Sequence, residues 1–282
     1  MRDALARLQL VEKEISDALT QADSLVAFVQ GASAPAELRV LVCNNVVVSL
    51  ASIVEEGIRA LALEYLKLIQ EYSVGYSNLR PALAGANLSG AVELLRKSQK
   101  DAKLDSKVIV AQLSKCLSDE PGFEFFSEEI TYNRANMRSK QISEITEKLG
   151  MREFWKGVQA QPSATALYPD LEPDQRLQEI VSKWNGLFDE RDVVVHRFSQ
   201  ASGWGPPLIS GYVSFLTTIV SCITKCLYDD ALQATNYRLG GRPELLALAG
   251  TLQGPVRDII GIMRGAPSAI IAALRDRADG AT

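Results

Sequence analysis

Histidine is nearly absent from this sequence: its 282 residues include a single one, His196. Cysteine is also scarce, and the four cysteines include no CxxC pair. Zinc sites draw their ligands from closely spaced histidines and cysteines, so this composition disfavours a metal centre. We interpret Cys222 and Cys226, four residues apart on a predicted helix, as small core residues of a protein in a reducing compartment.

Aromatic residues make up 7% of the chain, and β-branched residues do not recur in alternating runs. These two deficits disfavour a β-sandwich or a β-barrel. The formal net charge is −4, which argues against a protein that coats nucleic acid through bulk positive charge. Net charge does not bear on a single cleft, so a local basic site that binds phosphate stays open.

Long apolar runs are missing as well. The longest uncharged apolar stretch covers residues 208–224, which is slightly short for a membrane span and includes several serines and threonines. The N-terminus carries charges from Arg2 onwards and lacks the apolar run of a signal peptide. We therefore expect a cytoplasmic protein with no membrane partner, in which residues 208–224 belong to a buried helix.

Helical periodicity is what the sequence does contain. Hydrophobic residues recur at helical spacing in four long segments, at residues 2–29, 36–68, 173–198 and 208–237. Glycines and prolines within residues 72–90 predict a loop there, with Ser89 as the cap of the next helix, and residues 161–170 are predicted to form a linker. The pattern predicts an all-α fold of roughly eight or nine helices.

The single histidine lies near the end of the helix predicted from Pro173. With about 100° per residue, the hydrophobic residues of this helix fall within one broad arc. The arc comprises Ile180, Val181, Trp184, Leu187, Phe188, Val194, Val195 and Phe198. Arg191 falls near the middle of the arc, while Asp192 and His196 lie together at its edge, one turn apart. The spacing predicts a carboxylate beside an imidazole, with a guanidinium in the apolar face next to them.

These three side chains form a candidate site for phosphoryl transfer without a metal. A guanidinium in an apolar face is costly unless it is paired, binds an anion, or lies at a cleft or subunit interface. Asp192 can accept a hydrogen bond from His196 or from Arg191, and Arg191 can hold a phosphate through two parallel hydrogen bonds. The alternative is a structural Arg–Asp pair beside a partly buried histidine, which spacing alone does not exclude.

A basic segment precedes this helix. Basic residues outnumber acidic ones between residues 133 and 156. The candidates for contacts with phosphate groups are Arg134, Arg138 and Lys140 from this segment, together with Arg197 directly after the histidine. The alternative is that the segment is an ordinary solvated face.

The run from Arg191 to His196 resembles the R-polar-x-x-x-H signature of the HEPN superfamily (higher eukaryotes and prokaryotes nucleotide-binding domains). Asp192 occupies the polar position, and three valines fill the apolar positions. The chain looks closest to the branch with large inserts that includes RiboL-PSP-type and related defence-associated proteins. It departs from the family pattern at Arg197, where many members carry glycine.

The resemblance implies a fold and a set of boundaries. The expected fold is an HEPN-like helical bundle with inserted helices, within a domain of residues 1–240. A break at Gly240-Gly241 sets off a C-terminal helical extension, residues 241–282, with two further predicted helices. The family signature lies near the end of one helix and is followed by a last helix, which residues 208–237 provide here.

The resemblance also implies an activity: a metal-independent endoribonuclease that needs no cofactor. Active members form dimers in which two motif helices make one composite cleft. The 2′-hydroxyl of the ribose attacks the adjacent phosphate and leaves a cyclic phosphate and a 5′-hydroxyl. Carried over, His196 is the general acid or base, Arg191 binds the phosphate, and Asp192 orients both.

The implied partners are RNA, a second copy of the chain and a regulatory protein such as an antitoxin. The implied role is that of a toxin or an effector of antiviral defence. Two alternatives stay open beside this one. The first is a non-catalytic HEPN module that binds a nucleotide or a protein as a sensor or adaptor. The second is a helical scaffold in which the motif is a coincidence.

Overall fold

The structure, a computed structural model, describes residues 2–31, 34–73, 75–99, 104–120, 122–132, 136–196 and 204–236. Within these ranges the protein is all-α, as predicted, and contains no β-strand. The helices are α1 (Arg2–Gly31), α2 (Ala36–Tyr72), a 3-10 helix (Tyr76–Asn78), α3 (Pro81–Ser98), α4 (Ser106–Leu117), α5 (Ser127–Thr131), α6 (Ser139–Lys148), α7 (Phe154–Gln159), α8 (Pro162–Leu167), α9 (Pro173–His196) and α10 (Pro206–Asn236). The predicted boundary at residue 240 and the C-terminal extension lie outside the described residues.

The predicted loop at residues 72–90 is right only as far as Arg80, because α3 begins at Pro81. Proline suits the first turn of a helix, where its missing N–H has no intrahelical partner in any case. Gly90 lies inside α3, where an added Cβ would come within 3.1 Å of the Cβ of Glu129. This glycine therefore permits close packing of α3 against α5 and does not end a helix. Ser89 is likewise an interior residue of α3 and not a cap.

The predicted linker at residues 161–170 is wrong for the same reason. Pro162 opens the short helix α8, and Ala164 of that helix is fully buried. In both segments the prediction took proline as a helix breaker, whereas in the structure proline is the first residue of a helix.

The described residues divide into two compact units. One draws on residues within 1–65, 133–146 and 152–231, and the other on residues within 66–132, 147–151 and 232 onwards. The first unit contains α1, α7, α8 and α9 and most of α2, α6 and α10. The second contains the 3-10 helix, α3, α4 and α5. Because the motif helix α9 lies wholly within the first unit, the candidate site can be described from that unit alone.

The core of the first unit is built around aromatic side chains of α9. Trp184 and Phe188 have no exposed surface, and their ring centroids lie 6.3 Å apart. Trp155 of α7 meets Trp184 edge to face at a centroid distance of 5.7 Å. These contacts hold α7 against α9 and give the motif helix a rigid buried face.

The helix α10 is a core helix of the first unit. By length and composition its segment Pro206–Gln233 could cross a membrane. Half of its most apolar stretch is buried inside the structure, as in the core helices of soluble proteins, so the hydropathy is weak evidence for a membrane. The burial agrees with the predicted buried helix at residues 208–224, and the cytoplasmic location stays a prediction.

The second unit is organised around a buried amide, Asn87 of α3. Its side-chain oxygen accepts a hydrogen bond from the backbone N–H of Phe126 at 2.8 Å. Its Nδ2 lies 3.2 Å from the hydroxyl of Tyr76 and 3.7 Å from the Sγ of Cys116. One side chain thereby joins the 3-10 helix, α3, α4 and the residue before α5. The surrounding apolar cluster is formed by Leu88, Ala91, Val92, Leu95, Ile109, Leu113 and Phe126.

Candidate functional site

The helix α9 runs from Pro173 to His196 and carries all three motif residues on its last two turns. Pro173 suits the first turn because its missing N–H would have no intrahelical partner there. Asp174 beside it places a negative charge at the positive end of the helix dipole. The hydrophobic face follows the predicted arc: the buried members are Ile180, Trp184, Leu187, Phe188 and Val194. Val181 and Val195 are partly buried, and Phe198 lies outside the described residues.

Arg191 keeps its predicted angular position within that arc, because α9 is helical throughout, but its side chain is not buried. Its side chain is 31% exposed. The arginine that α9 does bury is Arg176, which is 8% exposed. Arg191 therefore belongs to the arc without being buried in it, and part of its guanidinium meets solvent.

A polar stripe runs along the exposed side of α9 towards the motif. Asn185, Asp189, Asp192 and His196 follow one another at intervals of four, three and four residues, so they share one face of the helix. The segment 136–139, which leads into α6, is hydrogen-bonded along this stripe. The backbone N–H of Ser139 donates to the side-chain oxygen of Asn185 at 2.9 Å.

Two tryptophans of the core anchor the same segment through its carbonyl groups. The indole N–H of Trp184 donates to the carbonyl of Met137 at 2.9 Å, and that of Trp155 donates to the carbonyl of Ser139 at 2.9 Å. Both are buried hydrogen bonds, which are costly to leave unmade. The segment before α6 is therefore held in place on the motif helix by the hydrophobic core itself.

Arg138 of this segment joins two aspartates of the stripe. Its NH1 donates to Oδ1 of Asp189 at 2.5 Å and lies 3.5 Å from the carbonyl of Asn185, while its NH2 donates to Oδ2 of Asp192 at 3.0 Å. Burial disfavours the charged form, but the hydrogen bonds and charges of Asp189 and Asp192 outweigh it and raise the pKa of Arg138. Arg138 is thus a firmly charged link between α9 and the segment before α6.

Asp192 is surrounded by donors. Its Oδ1 accepts hydrogen bonds from Arg191 NH1 at 2.9 Å and from Asn136 Nδ2 at 3.0 Å, and its Oδ2 accepts from Arg138 NH2 at 3.0 Å. Partial burial would raise the pKa of Asp192, but hydrogen bonds from Arg191, Asn136 and Arg138 lower it below the usual range. The carboxylate is therefore ionised, and its charge is shared by two guanidinium groups.

His196 stands apart from this network. It is exposed at the last residue of α9 and makes no hydrogen bond with any residue that the structure describes. Of the two partners predicted for Asp192, the structure selects Arg191 and not His196. Arg191 and His196 are five positions apart and so point about 140° away from each other around the helix. The last turns of one α9 therefore present the guanidinium and the imidazole in different directions.

The structure places the four basic residues that were predicted to contact RNA differently. Arg138 lies in the site, paired with both aspartates. Lys140 is 81% exposed and lies 3.8 Å from Glu144, away from the network. Arg134 and Arg197 lie outside the described residues.

Sequence reasoning missed two members of the network, Asn136 and Asp189. Asp189 had a usable signal, since it stands three residues before Asp192 on the same helical face. Asn136 had none, because it lies in a segment without periodicity. Among the described residues, no group of three or more histidine, cysteine, aspartate or glutamate side chains could hold a metal ion.

Comparison with known families gives one finding. A family model described as RiboL-PSP-HEPN matches residues 6–229. The matched span contains the motif on α9, the segment before α6 and most of α10. Searches of curated proteins and of solved structures found no significant match.

Proposed function

The chain belongs to the RiboL-PSP-HEPN family, and from this premise we propose that it is a metal-independent endoribonuclease. The observation that carries the proposal is the end of α9: an exposed imidazole one turn beyond a carboxylate that already holds a guanidinium. RNA cleavage by an internal hydroxyl needs a proton acceptor, a proton donor and a positive group at the phosphate. An imidazole can both accept and donate a proton, and a guanidinium supplies the positive charge.

Arg191 is the proposed phosphate ligand. One of its N–H groups is used by Asp192, and the exposed part of the guanidinium has further donors for the non-bridging oxygens of a phosphate. Asp192 holds the guanidinium at the end of the helix and stays ionised. Asp192 is thus proposed to orient Arg191, a narrower role than the resemblance gives it.

His196 is the proposed proton-transfer group. In the reaction the 2′-hydroxyl loses its proton and its oxygen bonds to phosphorus, while the bond from phosphorus to the 5′-oxygen breaks and that oxygen takes up a proton. Imidazole is suited to both proton transfers near neutral pH. The products are a 2′,3′-cyclic phosphate and a 5′-hydroxyl, and no water is consumed in this step.

A composite site of two copies is part of the proposal. The reaction uses one base and one acid, and the chain contributes a single histidine. Arg191 and His196 also diverge around α9, so one copy does not aim both at one phosphate. A homodimer that joins the ends of two α9 helices would supply a second imidazole and a second guanidinium. A role as a toxin or defence effector, restrained by a regulatory protein, is the biological setting we propose.

The ion network itself favours a second candidate, a non-catalytic module that binds RNA, a nucleotide or a protein. Arg138 and Arg191 are both paired with aspartates, which is also what a purely structural network would show. The two candidates differ in one observable, since the module would bind its ligand with the motif intact and leave every RNA uncleaved.

Cleavage of RNA in the presence of EDTA tests the proposal. Purified protein is incubated with total RNA or tRNA, and the new ends are identified. A 5′-hydroxyl end accepts phosphate from polynucleotide kinase without prior dephosphorylation, and an end with a cyclic phosphate lacks the free 3′-hydroxyl that a ligase or polymerase needs. We expect His196→Ala and Arg191→Ala to lower the rate by about a hundredfold or more. Cleavage by both variants at the wild-type rate would rule out the roles given to them.

Arg59→Gln is the matched control in this assay. Arg59 lies in the same unit, has a side chain 25% exposed and pairs with Glu55 and Glu56, yet it is remote in sequence from the motif. Arg59→Gln removes an arginine that is paired with carboxylates, as the arginine substitutions in the candidate site do. We expect Arg59→Gln to cleave at a rate within about twofold of the wild-type rate.

A further inference from the structure

Two guanidinium groups share the carboxylate of Asp192, and they reach it from different parts of the chain. Arg191 neighbours Asp192 on α9 and has a partly exposed side chain. Arg138 comes from the segment before α6 and is tied to α9 a second time through Asp189. Arg191 can therefore turn away from Asp192 without disturbing the rest of the network, whereas Arg138 cannot.

This asymmetry matters once Arg191 binds a phosphate. When the guanidinium turns to the phosphate, the ionised Asp192 loses one partner and lies close to an incoming negative charge. The negative charges of the carboxylate and the phosphate repel each other strongly when they lie close together in a partly desolvated site. Arg138 and Asn136 stay on the carboxylate, at 3.0 Å each, and compensate its charge.

We propose that Arg138 is a positioning residue of the phosphate site, which keeps Asp192 neutralised so that Arg191 is free to bind an RNA phosphate. This inference rests on the proposed function, in which Arg191 is the phosphate ligand. Arg138 acts through Asp192 and does not itself touch the RNA. One N–H on each of its terminal nitrogens is used by an aspartate, NH1 by Asp189 and NH2 by Asp192, and these two bonds tie the guanidinium to α9.

The test measures RNA affinity and not cleavage. A short RNA with 2′-O-methyl groups at every position lacks the attacking hydroxyl and stays intact. Its binding to the full-length protein is followed by fluorescence anisotropy at low ionic strength, where phosphate contacts are strongest. The variants are Arg138→Gln, Arg138→Lys, Asp192→Asn and the double variant Arg138→Gln/Asp192→Asn, with Arg59→Gln as the matched control.

We expect Arg138→Gln to weaken binding by about tenfold, because it leaves one negative charge uncompensated beside the phosphate. Arg138→Lys keeps the positive charge and binds nearly as tightly as wild type, and Arg59→Gln stays within about twofold of wild type. The decisive variant is the double one. Asp192→Asn removes the charge that Arg138 compensates, so the double variant binds more tightly than Arg138→Gln alone and within about threefold of Asp192→Asn.

Two results overturn the inference. A double variant that binds as weakly as Arg138→Gln, or more weakly, means that Arg138 contacts the phosphate directly. Unchanged affinity in Arg138→Gln means that it has no part in the site. Circular dichroism checks the folding of each variant, and Arg138→Lys, which keeps the charge, supplies the test where the glutamine variant is unfolded: its affinity must stay close to that of wild type.

The outcomes separate this inference from the proposed function. In one outcome the protein binds the methylated RNA, and Asp192→Asn restores the affinity that Arg138→Gln lost (the rescue), but unmodified RNA stays intact. Such a protein is not a ribonuclease and still has Arg138 in the proposed role. A protein that cleaves RNA without the rescue is a ribonuclease in which Arg138 has another role.

Discussion

The indole N–H of Trp184 donates a buried hydrogen bond to the carbonyl of Met137, 2.9 Å away and 47 residues earlier in the chain. Trp184 belongs to the core face of α9. Met137 stands in the sequence between Asn136 and Arg138, whose side chains both bind Asp192. The core of the first unit therefore sets the position of the polar network at the motif. Stability of the core and geometry of the site are linked through this one bond.

Replacing the indole should therefore destabilise the protein measurably. Trp184→Phe removes the donor from a buried carbonyl and leaves a space beside Phe188. We expect the free energy of unfolding to fall by about 2–4 kcal/mol. Urea unfolding followed by circular dichroism measures the change, with Phe28→Leu as control because Phe28 is 72% exposed. A loss below about 0.5 kcal/mol would show that the Met137 carbonyl is satisfied in another way.

Asn87 gives the matching prediction for the second unit. Asn87→Ala leaves the N–H of Phe126 without its acceptor and the hydroxyl of Tyr76 without its donor, both in a buried setting. We expect a loss of about 2–4 kcal/mol in the free energy of unfolding. Asn78→Ala is the control, since Asn78 is exposed. Equal effects of the two substitutions would contradict the central role of the amide.

Helical periodicity predicted α9 and its buried face correctly, because a repeat of 3.6 residues is a local property of the chain. It could not choose which arginine of α9 is buried. Arg176 and Arg191 differ in their tertiary surroundings and not in their own pattern. The same limit explains why Asn136 was missed, since its partner Asp192 lies 56 positions away. Proline misled the prediction of α3 and α8, where it opens a helix in place of ending one.

Arg176 provides a test of that tertiary difference. Its guanidinium donates to the carbonyls of Leu171 and Tyr168, at 2.8 and 3.3 Å, and to the hydroxyl of Thr165 at 3.1 Å. Arg176→Met keeps the length of the side chain but leaves these acceptors without a donor. We expect a loss of about 1–3 kcal/mol in the free energy of unfolding. Arg152→Met, at an exposed position, should change it by less than about 0.5 kcal/mol.

The pKa of Asp192 predicts a dependence of stability on acid pH. Because the hydrogen bonds to Arg191, Asn136 and Arg138 lower this pKa, the ionised carboxylate stabilises the folded state. The contribution is complete above the usual pKa of an aspartate, about 3.9, and is lost as the pH falls through the lower pKa of the folded state. The difference in the free energy of unfolding between wild type and Asp192→Asn should therefore shrink at acid pH. Urea unfolding over a series of pH values measures it, and a constant difference would contradict the assigned partners.

The exposure of His196 leads to a prediction about proton transfer. His196 is exposed and has no hydrogen bond to the described residues, so its removal leaves a space that solvent can enter. We expect added imidazole to restore part of the RNA cleavage lost in His196→Ala, because a free imidazole can take the place of the missing ring in moving protons. Arg191→Ala should gain nothing from imidazole, since its defect is the loss of positive charge at the phosphate. The measurement is the cleavage rate of each variant at increasing imidazole concentration, at constant pH and ionic strength. Equal gains in the two variants would show that imidazole acts on the RNA directly and that His196 is not the proton-transfer group.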